Sequence, residues 1–333
     1  MPNDSRGPFR HLDQPAGLAS VLLAPLSLLY AGGWWAYESM YRLGLKKPKE
    51  PHRPVLVVGN LTVGGTGKTP LTAYLAQLFR RSGHEVVLSA SGYGSPASEE
   101  AQCAPAGPLI ASRWGDEPAY YRWLMPDLPL IIGRNRVRAA EICAERFPNA
   151  ILLLDDGFQH LPLKKHLALI LDPDPAPNPL CLPAGPYRQP RSAGRRKADA
   201  VIPGTWDLVR QGPVFRDAEG RPCDRPATQP IQLLSAIGSP ARLRQSFIDA
   251  GYELIHEVHR PDHDPLTAGN LWASFDPQKP ILVTAKDWMK LRERTDLAPL
   301  TLWIVDYEVR LKPEPEFTRW LLAKIHEIEA KTD

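Results

Sequence analysis

The 333-residue sequence contains little cysteine, little excess of one charge sign and only one long apolar run. Its four cysteines lie far apart without a CxxC pair, which argues against a disulfide framework or a zinc site and favours reduced thiols in a cytosolic compartment. The formal net charge of +3 does not indicate a nucleic acid partner. With 43% apolar and 23% charged residues, the chain has the balance of a globular protein and is long enough for two domains.

The long apolar run lies near the N-terminus, where residues 16–37 include no charged side chain. Its length of roughly 20 residues matches the hydrocarbon core of a bilayer. Trp34 and Trp35 suit the headgroup level, and lysines follow from Lys46 onward. A signal peptide and a buried core helix are alternatives, but no small-residue cleavage site follows the run. We therefore expect an N-terminal membrane-associated helix that either spans the bilayer or lies in its interface.

After residue 51, short apolar runs alternate with helical patterns, which is typical of a mostly parallel sheet covered on both faces. We predict buried strands at residues 55–58, 85–89, 130–133, 150–154, 167–171 and 200–203. A stretch with few apolar residues and several turn signals follows at 207–230, and a second α/β pattern begins at 231. The predicted division is an N-terminal helix and linker over 1–50, a first α/β unit over 51–206, a linker over 207–230 and a smaller C-terminal α/β domain over 231–333.

The strongest motif is Gly64-Gly65-Thr66-Gly67-Lys68-Thr69, between a predicted strand and a predicted helix. Glycines let backbone N–H groups turn inward around phosphate oxygens, and the helix N-terminus adds partial positive charge. Lys68 is suited to the β- and γ-phosphates, and the Thr69 hydroxyl to Mg²⁺. We therefore predict a P-loop core that uses ATP and Mg²⁺. The predicted nucleotide contacts are Thr62, Val63, Gly64, Gly65, Thr66, Gly67, Lys68 and Thr69.

A second motif is the apolar run 152–154, which ends in Asp155 and Asp156. P-loop proteins place the carboxylate that holds Mg²⁺, directly or through water, at such a strand end. Carboxylates at a strand end also occur in plain turns, but the glycine loop favours the functional interpretation. We predict Thr69, Asp155 and Asp156 as metal ligands, with the division between the two aspartates open.

Two P-loop classes fit the sequence poorly. Partitioning ATPases carry a lysine before the glycine pair, where this chain has Val63. GTPases read the base with Asn/Thr-Lys-x-Asp, whereas here Asp287 directly follows Lys286.

In its order of short motifs the chain resembles the tetraacyldisaccharide 4'-kinase family, the lipid A 4'-kinases of Gram-negative bacteria. The resemblance runs from the apolar helix almost to the C-terminus, and Thr62 in place of the usual glycine is normal for that family. The matching blocks are Val58-Gly59-Asn60-Leu61-Thr62-Val63-Gly64-Gly65-Thr66-Gly67-Lys68-Thr69-Pro70, Gly92-Tyr93-Gly94, Gly115-Asp116-Glu117-Pro118, Asp155-Asp156-Gly157-Phe158-Gln159-His160, Leu182-Pro183-Ala184-Gly185-Pro186, Ala236-Ile237-Gly238, Pro261-Asp262-His263 and Lys286-Asp287.

The resemblance implies transfer of the γ-phosphate of ATP to the 4'-hydroxyl of a tetraacylated glucosamine disaccharide 1-phosphate. It places the reaction at the cytoplasmic face of the inner membrane, with the C-terminal domain closing over the nucleotide. It also implies that Asp116 accepts the proton of the attacking hydroxyl, that His263 orients and supports Asp116, and that Lys68 completes the catalytic group. From the residues alone, Asp116 and His263 would be modest candidates. No nucleic acid and no obligate protein partner are indicated.

The chain departs from the family pattern at Ser91, where arginine is usual, and at Ala285, where glutamate is usual. A proline-rich stretch over 172–181 replaces a loop rich in glycine and asparagine. These departures affect the expected nucleotide and sugar contacts, but they leave the phosphate loop, the paired aspartates and the Asp116/His263 pair intact.

Basic clusters at 134–138 and 188–197 suit a phosphorylated lipid or anionic headgroups, although a solvated surface is an equal alternative. The candidate substrate contacts are Asn60, Arg134, Arg136, Gln159, His160 and Arg188. Two alternatives to a lipid kinase stay open: a P-loop ATPase working at the membrane, and a protein that binds ATP or lipid without turnover. A kinase needs a base for the acceptor hydroxyl, whereas an ATPase should tolerate the loss of Asp116 and His263.

Overall fold

The computed structural model describes residue 12 and residues 15–332, with gaps at 65, 174, 227, 239 and 262–263. The fold is mixed α/β with two mostly parallel sheets, as predicted. In chain order the first part contains α1 (Leu18–Arg42), β1 (Val55–Asn60), α2 (Lys68–Arg81), β2 (Val86–Ala90), β3 (Gln102–Cys103), α3 (Ala111–Trp114), α4 (Asp116–Leu124), β4 (Leu130–Ile132), α5 (Arg136–Arg146), β5 (Ile151–Asp155), β6 (Leu167–Leu171), α6 (Arg191–Arg195) and β7 (Ala200–Ile202).

The first sheet has seven strands in the order β3-β4-β2-β5-β1-β6-β7, all parallel except β3. Strands β1, β2, β5 and β6 are buried along their whole length, which explains their continuous apolar sequences. In the centre, β1 pairs with β5 so that Val58 lies opposite Asp155. Because parallel strands end at one edge of the sheet, this register brings the loop after β1 beside the acidic end of β5.

The second sheet has five strands in the order β10-β9-β11-β12-β8, with β8 antiparallel to β12 and the other pairs parallel. Its elements are β8 (Asp207–Arg216), β9 (Ile231–Ser235), α7 (Pro240–Asp249), β10 (Leu254–His259), β11 (Ile281–Thr284), α8 (Ala285–Leu291), β12 (Leu302–Lys312) and α9 (Glu314–Thr332).

The segment 207–230 is not a linker throughout, because its first ten residues form the edge strand β8. Most β8 residues are exposed or half-buried, so the strand lacks the apolar run that marks buried strands. Gly212 and Pro213 also resemble a turn in sequence, although in the structure they lie within the strand. The partner strand β12 is eleven residues long and continues to Lys312, because it pairs with the whole of β8.

Helix α1 has an inverted distribution of polarity, with its small polar residues buried and its large apolar residues exposed. Ser20 and Ser27, seven positions apart on one face, are buried against the body of the protein. The Ser27 hydroxyl donates to the carbonyl of Cys181 at 2.8 Å, and Ser20 Oγ accepts from Asn178 at 2.9 Å. The exposed residues are Leu18, Val21, Leu22, Leu26, Leu28, Leu29 and Trp35. The structure therefore excludes the buried core helix considered above.

A buried polar network joins the β8–β12 pair to α4. The Arg216 guanidinium donates to Asp306 at 3.2 Å and to Glu308 at 2.8 Å. The Tyr120 hydroxyl of α4 lies 3.1 Å from both carboxylate oxygens of Asp306. Burial raises the pKa of Asp306, and the charge of Arg216 opposes that rise. The network therefore fixes the position of α4 relative to the second sheet, provided that both charges are present.

Replacing Arg216 with methionine should lower the free energy of unfolding by about 3 kcal/mol, because a buried carboxylate loses its cation. The matched control is Arg221→Met, since Arg221 is 73% exposed and pairs with Asp217 on the surface. That change should cost at most about 1 kcal/mol. Urea unfolding of both variants measures the difference, and equal losses would contradict a special role for the buried pair.

Candidate active site

The phosphate loop joins the end of β1 to the start of α2, as the motif predicts. Gly64 and Gly67 have φ angles of 104° and 93°, a region that other residues rarely adopt. Lys68 begins α2, and its side chain is only 13% exposed. The neighbouring Thr69 is buried at the N-terminal end of the helix. Backbone N–H groups, a helix N-terminus and a cation are thus combined in one short loop, an arrangement suited to polyphosphate. Gly65 lies outside the described residues.

The Leu-Pro-Ala-Gly-Pro block supports the phosphate loop from the side. The N–H of Val63 donates to the carbonyl of Pro186 at 2.9 Å, and the N–H of Arg188 donates to the carbonyl of Leu61 at 2.8 Å. Thr62 also forms a backbone bridge with Tyr187. These contacts explain why two blocks more than a hundred residues apart in sequence belong to one site.

Asp155 is a buried carboxyl at the end of β5, without a direct cationic partner among the described residues. It accepts hydrogen bonds from the Tyr121 hydroxyl at 2.7 Å and from the Thr72 hydroxyl at 3.4 Å. Burial raises the pKa of Asp155 to about 7, the Glu117 carboxylate adds to the rise, and the hydrogen bond from Tyr121 limits it. A cation placed at this carboxyl would therefore be strongly favoured.

Asp156 has the opposite electrostatic setting, although it is the next residue. Its carboxylate lies 3.7 Å from Lys68 Nζ and accepts from Arg188 at 2.9 and 3.1 Å. Burial alone would raise the pKa of Asp156, but the charges of Lys68 and Arg188 outweigh it and lower the pKa. The positive φ of 60° at Asp156 turns the chain sharply between the two carboxylates. Asp156 is thus ionised and paired with cations. Asp155 would release its proton when a cation binds beside it.

The Gly-Asp-Glu-Pro block meets two lysines of the second part of the chain. Asp116 and Glu117 start α4, and the Glu117 carboxylate accepts from the Thr69 hydroxyl at 3.3 Å. From α8, Lys286 Nζ lies 3.5 Å from Glu117, and Lys290 Nζ lies 3.5 Å from Asp116. The structure therefore brings Asp116 next to the phosphate loop through its neighbour Glu117. Sequence reasoning missed Glu117 and Lys290 as site residues, although Glu117 lies in a quoted block.

Oxygen ligands for a magnesium ion are present beside the loop. The Thr69 hydroxyl and the carboxylates of Asp155, Asp156 and Glu117 are hard donors of the kind Mg²⁺ prefers. Among the residues that the structure describes, no group of three or more His, Cys, Asp or Glu side chains is arranged to hold a metal by itself.

The predicted pairing of Asp116 with His263 is not tested by the structure, because His263 lies outside the described residues. Next to it, the N–H of Asp264 donates to the carbonyl of Pro261 at 3.0 Å. The role of His263 thus stays a prediction.

The candidate substrate residues have very different surroundings. Asn60 is fully buried, and its side-chain amide has no hydrogen-bond partner among the described residues, while its backbone carbonyl accepts from Gln159 at 2.9 Å. Burial lowers the pKa of His160 to about 4, helped by the charge of Lys165. An unpartnered buried amide is unusual and marks a place where a ligand or water supplies the missing bond.

Two of the candidate arginines differ in accessibility. Arg134 is exposed, and its guanidinium lies 5.7 Å from the centre of the Tyr93 ring. Arg136 is buried, and it donates to Ser89 at 3.1 Å and to the carbonyl of Asp155 at 2.9 Å. Arg136 thus supports the end of β5 from inside, and its contact with substrate stays a prediction.

The Tetraacyldisaccharide-1-P 4'-kinase family model matches residues 19–326 of the chain. A protein of Shewanella sediminis named tetraacyldisaccharide 4'-kinase is 34% identical, over 92% of this chain and 91% of the relative. A protein of the same name from Alkalilimnicola ehrlichii is 32% identical, over 95% of this chain and 97% of the relative.

A solved structure has the same fold. It is described as the "apo" form of LpxK from Aquifex aeolicus in complex with ATP, and it matches with a TM-score of 0.78 at 22% identity. The match covers 92% of this chain and 100% of that one.

The raised pKa of Asp155 predicts how stability depends on pH. The Asp155 carboxyl has a pKa of about 7 in the folded protein and of 3.8 ordinarily. The folded state is therefore favoured at low pH, and this stability is lost as the pH rises from the lower to the higher of these two values. Asp155→Asn keeps an oxygen for Tyr121 but removes the charge. Without ligands, the variant should exceed the native protein in unfolding free energy at pH 8 by on the order of 1–4 kcal/mol, and by less at pH 5.5.

Urea unfolding at the two pH values measures this effect. The exposed Asp127→Asn serves as control and should show no pH-dependent gain. A destabilised Asp155→Asn protein at pH 8 would contradict the electrostatic account of the buried carboxyl.

Proposed function

The chain belongs to the tetraacyldisaccharide-1-P 4'-kinase family, and we propose on this premise that it transfers the γ-phosphate of ATP to the 4'-hydroxyl of a tetraacylated glucosamine disaccharide 1-phosphate in lipid A biosynthesis. The observation that carries the proposal is the position of Asp116. This carboxylate starts α4 directly before Glu117, which contacts the phosphate loop at Thr69. A kinase needs a base near the γ-phosphate for the acceptor hydroxyl, whereas simple nucleotide binding does not.

In the proposed reaction, Asp116 accepts the proton of the 4'-hydroxyl as its oxygen forms the new bond to the γ-phosphorus. The bond from that phosphorus to the β-phosphate oxygen breaks, and ADP leaves. Lys290 Nζ lies 3.5 Å from Asp116 and places a positive charge beside the carboxylate that is proposed to accept the proton. His263 is proposed to orient Asp116, as the family resemblance implies.

Lys68 is proposed to exchange partners when nucleotide binds. In the structure it lies 3.7 Å from Asp156, which also holds Arg188. Since Arg188 stays with Asp156, Lys68 can turn to the β- and γ-phosphates without leaving the carboxylate unpaired. Mg²⁺, held by Thr69 and by Asp155 or Asp156, would supply positive charge between the β- and γ-phosphates.

We propose that the two units, each built on one sheet, have different roles. The core over 51–206 would hold ATP, and the second unit would close over it with Lys286 and Lys290 on the acids of α4. Because β8 belongs to the second sheet, we place the start of that unit near residue 207 rather than 231.

The apolar helix supports a site at the membrane surface. By length and composition α1 would be able to span a bilayer, with 11% of its apolar window buried. Its serine face is nevertheless bound to the protein body, and the Tyr30 hydroxyl donates to the carbonyl of Arg188 at 2.7 Å. We therefore favour a helix lying in the interface at the cytoplasmic face of the inner membrane, with its leucines toward the acyl chains.

A cavity of about 460 Å³ between α1 and the 179–195 segment suits an acylated phosphate. Leu28 and Ala31 line it from α1 and Leu180 from the segment, and Arg191 and Arg195 are also lining residues. Both arginines are paired with the buried Asp172, which holds them in place beside the cavity. An apolar cavity edged with cations matches a lipid that carries a phosphate group.

The reaction is tested by following labelled γ-phosphate from Mg-ATP into tetraacyldisaccharide 1-phosphate in detergent micelles. The native protein and the exposed-loop control Asp127→Ala should label the lipid. Asp116→Ala should reduce the rate at least about 100-fold, as expected for loss of a general base, and Lys68→Ala should abolish transfer. ATP hydrolysis by the native protein without lipid labelling would favour the membrane ATPase alternative instead.

Membrane binding is tested with vesicles containing phosphatidylglycerol. The double variant Leu22→Gln/Leu29→Gln removes two side chains that are 70% and 73% exposed on α1. Its affinity for vesicles should fall about 10-fold or more, because two leucines no longer enter the interface. Ile248→Gln/Ile255→Gln removes two exposed aliphatic residues elsewhere and should leave binding unchanged. Equal effects of the two pairs would contradict a role for α1.

A further inference from the structure

Arg210, in strand β8 of the second sheet, lies at the phosphate loop of the first. Its Nη2 atom is 3.7 Å from the position that a Cβ atom would occupy on Gly67. Within the described part of the chain, the Arg210 side chain has no hydrogen bond or ion pair, unlike Arg216 on the same strand. A guanidinium without an acid is thus placed beside the backbone N–H groups that are suited to bind phosphate.

A β-bulge in β8 aims this side chain at the loop. Pro213 lies opposite Tyr307, but Arg210 lies opposite Val309, so β8 contains one residue more than β12 over this stretch. Opposed residues of antiparallel strands project from the same face, and Val309 packs into the core cluster that includes α2. Without the extra residue, Arg210 would lie opposite Arg310 and project from the other face.

Among the residues that the structure describes, none supplies an anion paired with Arg210. Partial burial lowers the pKa of the Arg210 guanidinium, and the nearby charge of Arg242 lowers it further. Arg210 thus lies near a second cation and has no acid partner among the described residues. An anion bound in the phosphate loop would attract Arg210 and offset the repulsion between the two arginines.

We propose that Arg210 binds the β- and γ-phosphate oxygens of the nucleoside triphosphate and supplies, from the second unit, a cation to the phosphoryl group in transfer. The proposed role of Arg210 in phosphoryl transfer rests on the proposed function. Its role in binding needs only a nucleotide in the phosphate loop. A planar guanidinium can donate two parallel hydrogen bonds to phosphate oxygens, which a lysine cannot. Arginines supplied in cis act in this way in other P-loop proteins.

The position of Arg210 also makes its contact conditional on the arrangement of the two units. The phosphate loop belongs to the first sheet, and Arg210 belongs to the second. A nucleotide that touches both therefore favours the arrangement in which Lys286 and Lys290 meet the acids of α4. Binding of the triphosphate and assembly of the catalytic acids are then coupled, which restricts the charged transition state to a closed site.

The test compares Arg210→Gln and Arg210→Lys with the native protein. Direct binding measurements with ATP, ADP and AMP should show that Arg210→Gln weakens ATP binding about 10-fold or more, ADP less and AMP not at all. Lipid phosphorylation at saturating ATP should fall about 100-fold in Arg210→Gln, with partial recovery in Arg210→Lys. Arg319→Gln removes an exposed arginine of α9 and is expected to match the native protein in every assay.

Several outcomes would overturn the inference. Native ATP affinity and a native transfer rate in Arg210→Gln would do so, as would equal weakening of all three nucleotides. A raised KM for the lipid with unchanged ATP binding would mean that the anion is the phosphate of the lipid. Thermal unfolding without ligands checks that the variants fold. If the native protein transfers no phosphate to lipid but Arg210→Gln still loses ATP selectively, the proposed function fails while the binding site stands.

Discussion

The pairing of β1 with β5 is the constraint on which the rest of the site depends. It places Val58 opposite Asp155, so the loop that begins after β1 and the carboxylates that end β5 emerge side by side. A shift of this pairing by one residue would move Lys68 away from Asp156 and would exchange the side chains between the two packed faces of the sheet. The apolar residues of both strands, buried on two faces, hold the register. Packing of the core thus determines the distance between a cation and its acid at the surface.

Around this edge the charges are arranged in an alternating pattern that ligand binding would complete. Lys68 and Arg188 share Asp156, Lys286 faces Glu117, and Lys290 faces Asp116. Asp155 lacks a cation, and Arg210 lacks an anion, within the described residues. Mg-ATP carries both kinds of charge, so its binding would satisfy the two unmatched groups together. An apo site of this kind is less stable than an apolar core would be, which is common where function needs buried charge.

Sequence reasoning predicted the buried strands and the phosphate loop well, because apolar runs and glycine spacing report directly on local structure. It missed β8, whose half-exposed residues form a strand only because β12 lies beside them. Tyr121 could not be identified either, because nothing in the sequence around it marks a tyrosine of α4 that donates to Asp155 at the end of β5. The motifs identified which residues belong to the site, but their partners depend on contacts between segments far apart in sequence. The exposure of the α1 leucines, too, follows from serines that bind a distant loop.

Residues 178–188 connect helix α1 to the phosphate site by a short path. Tyr30 of α1 donates to the carbonyl of Arg188, and the Arg188 guanidinium binds Asp156, the carboxylate that also faces Lys68. The backbone N–H of Arg188 in turn donates to the carbonyl of Leu61, at the start of the phosphate loop. A helix held in the interface by its leucines would therefore fix the height of the phosphate loop above the membrane. A lipid embedded in the same interface has its headgroup at a similar height. Its acceptor hydroxyl can therefore move little along the membrane normal. When enzyme and lipid are anchored in one plane, mainly their lateral positions and their rotations must be brought into agreement before transfer. Less entropy is then lost on encounter.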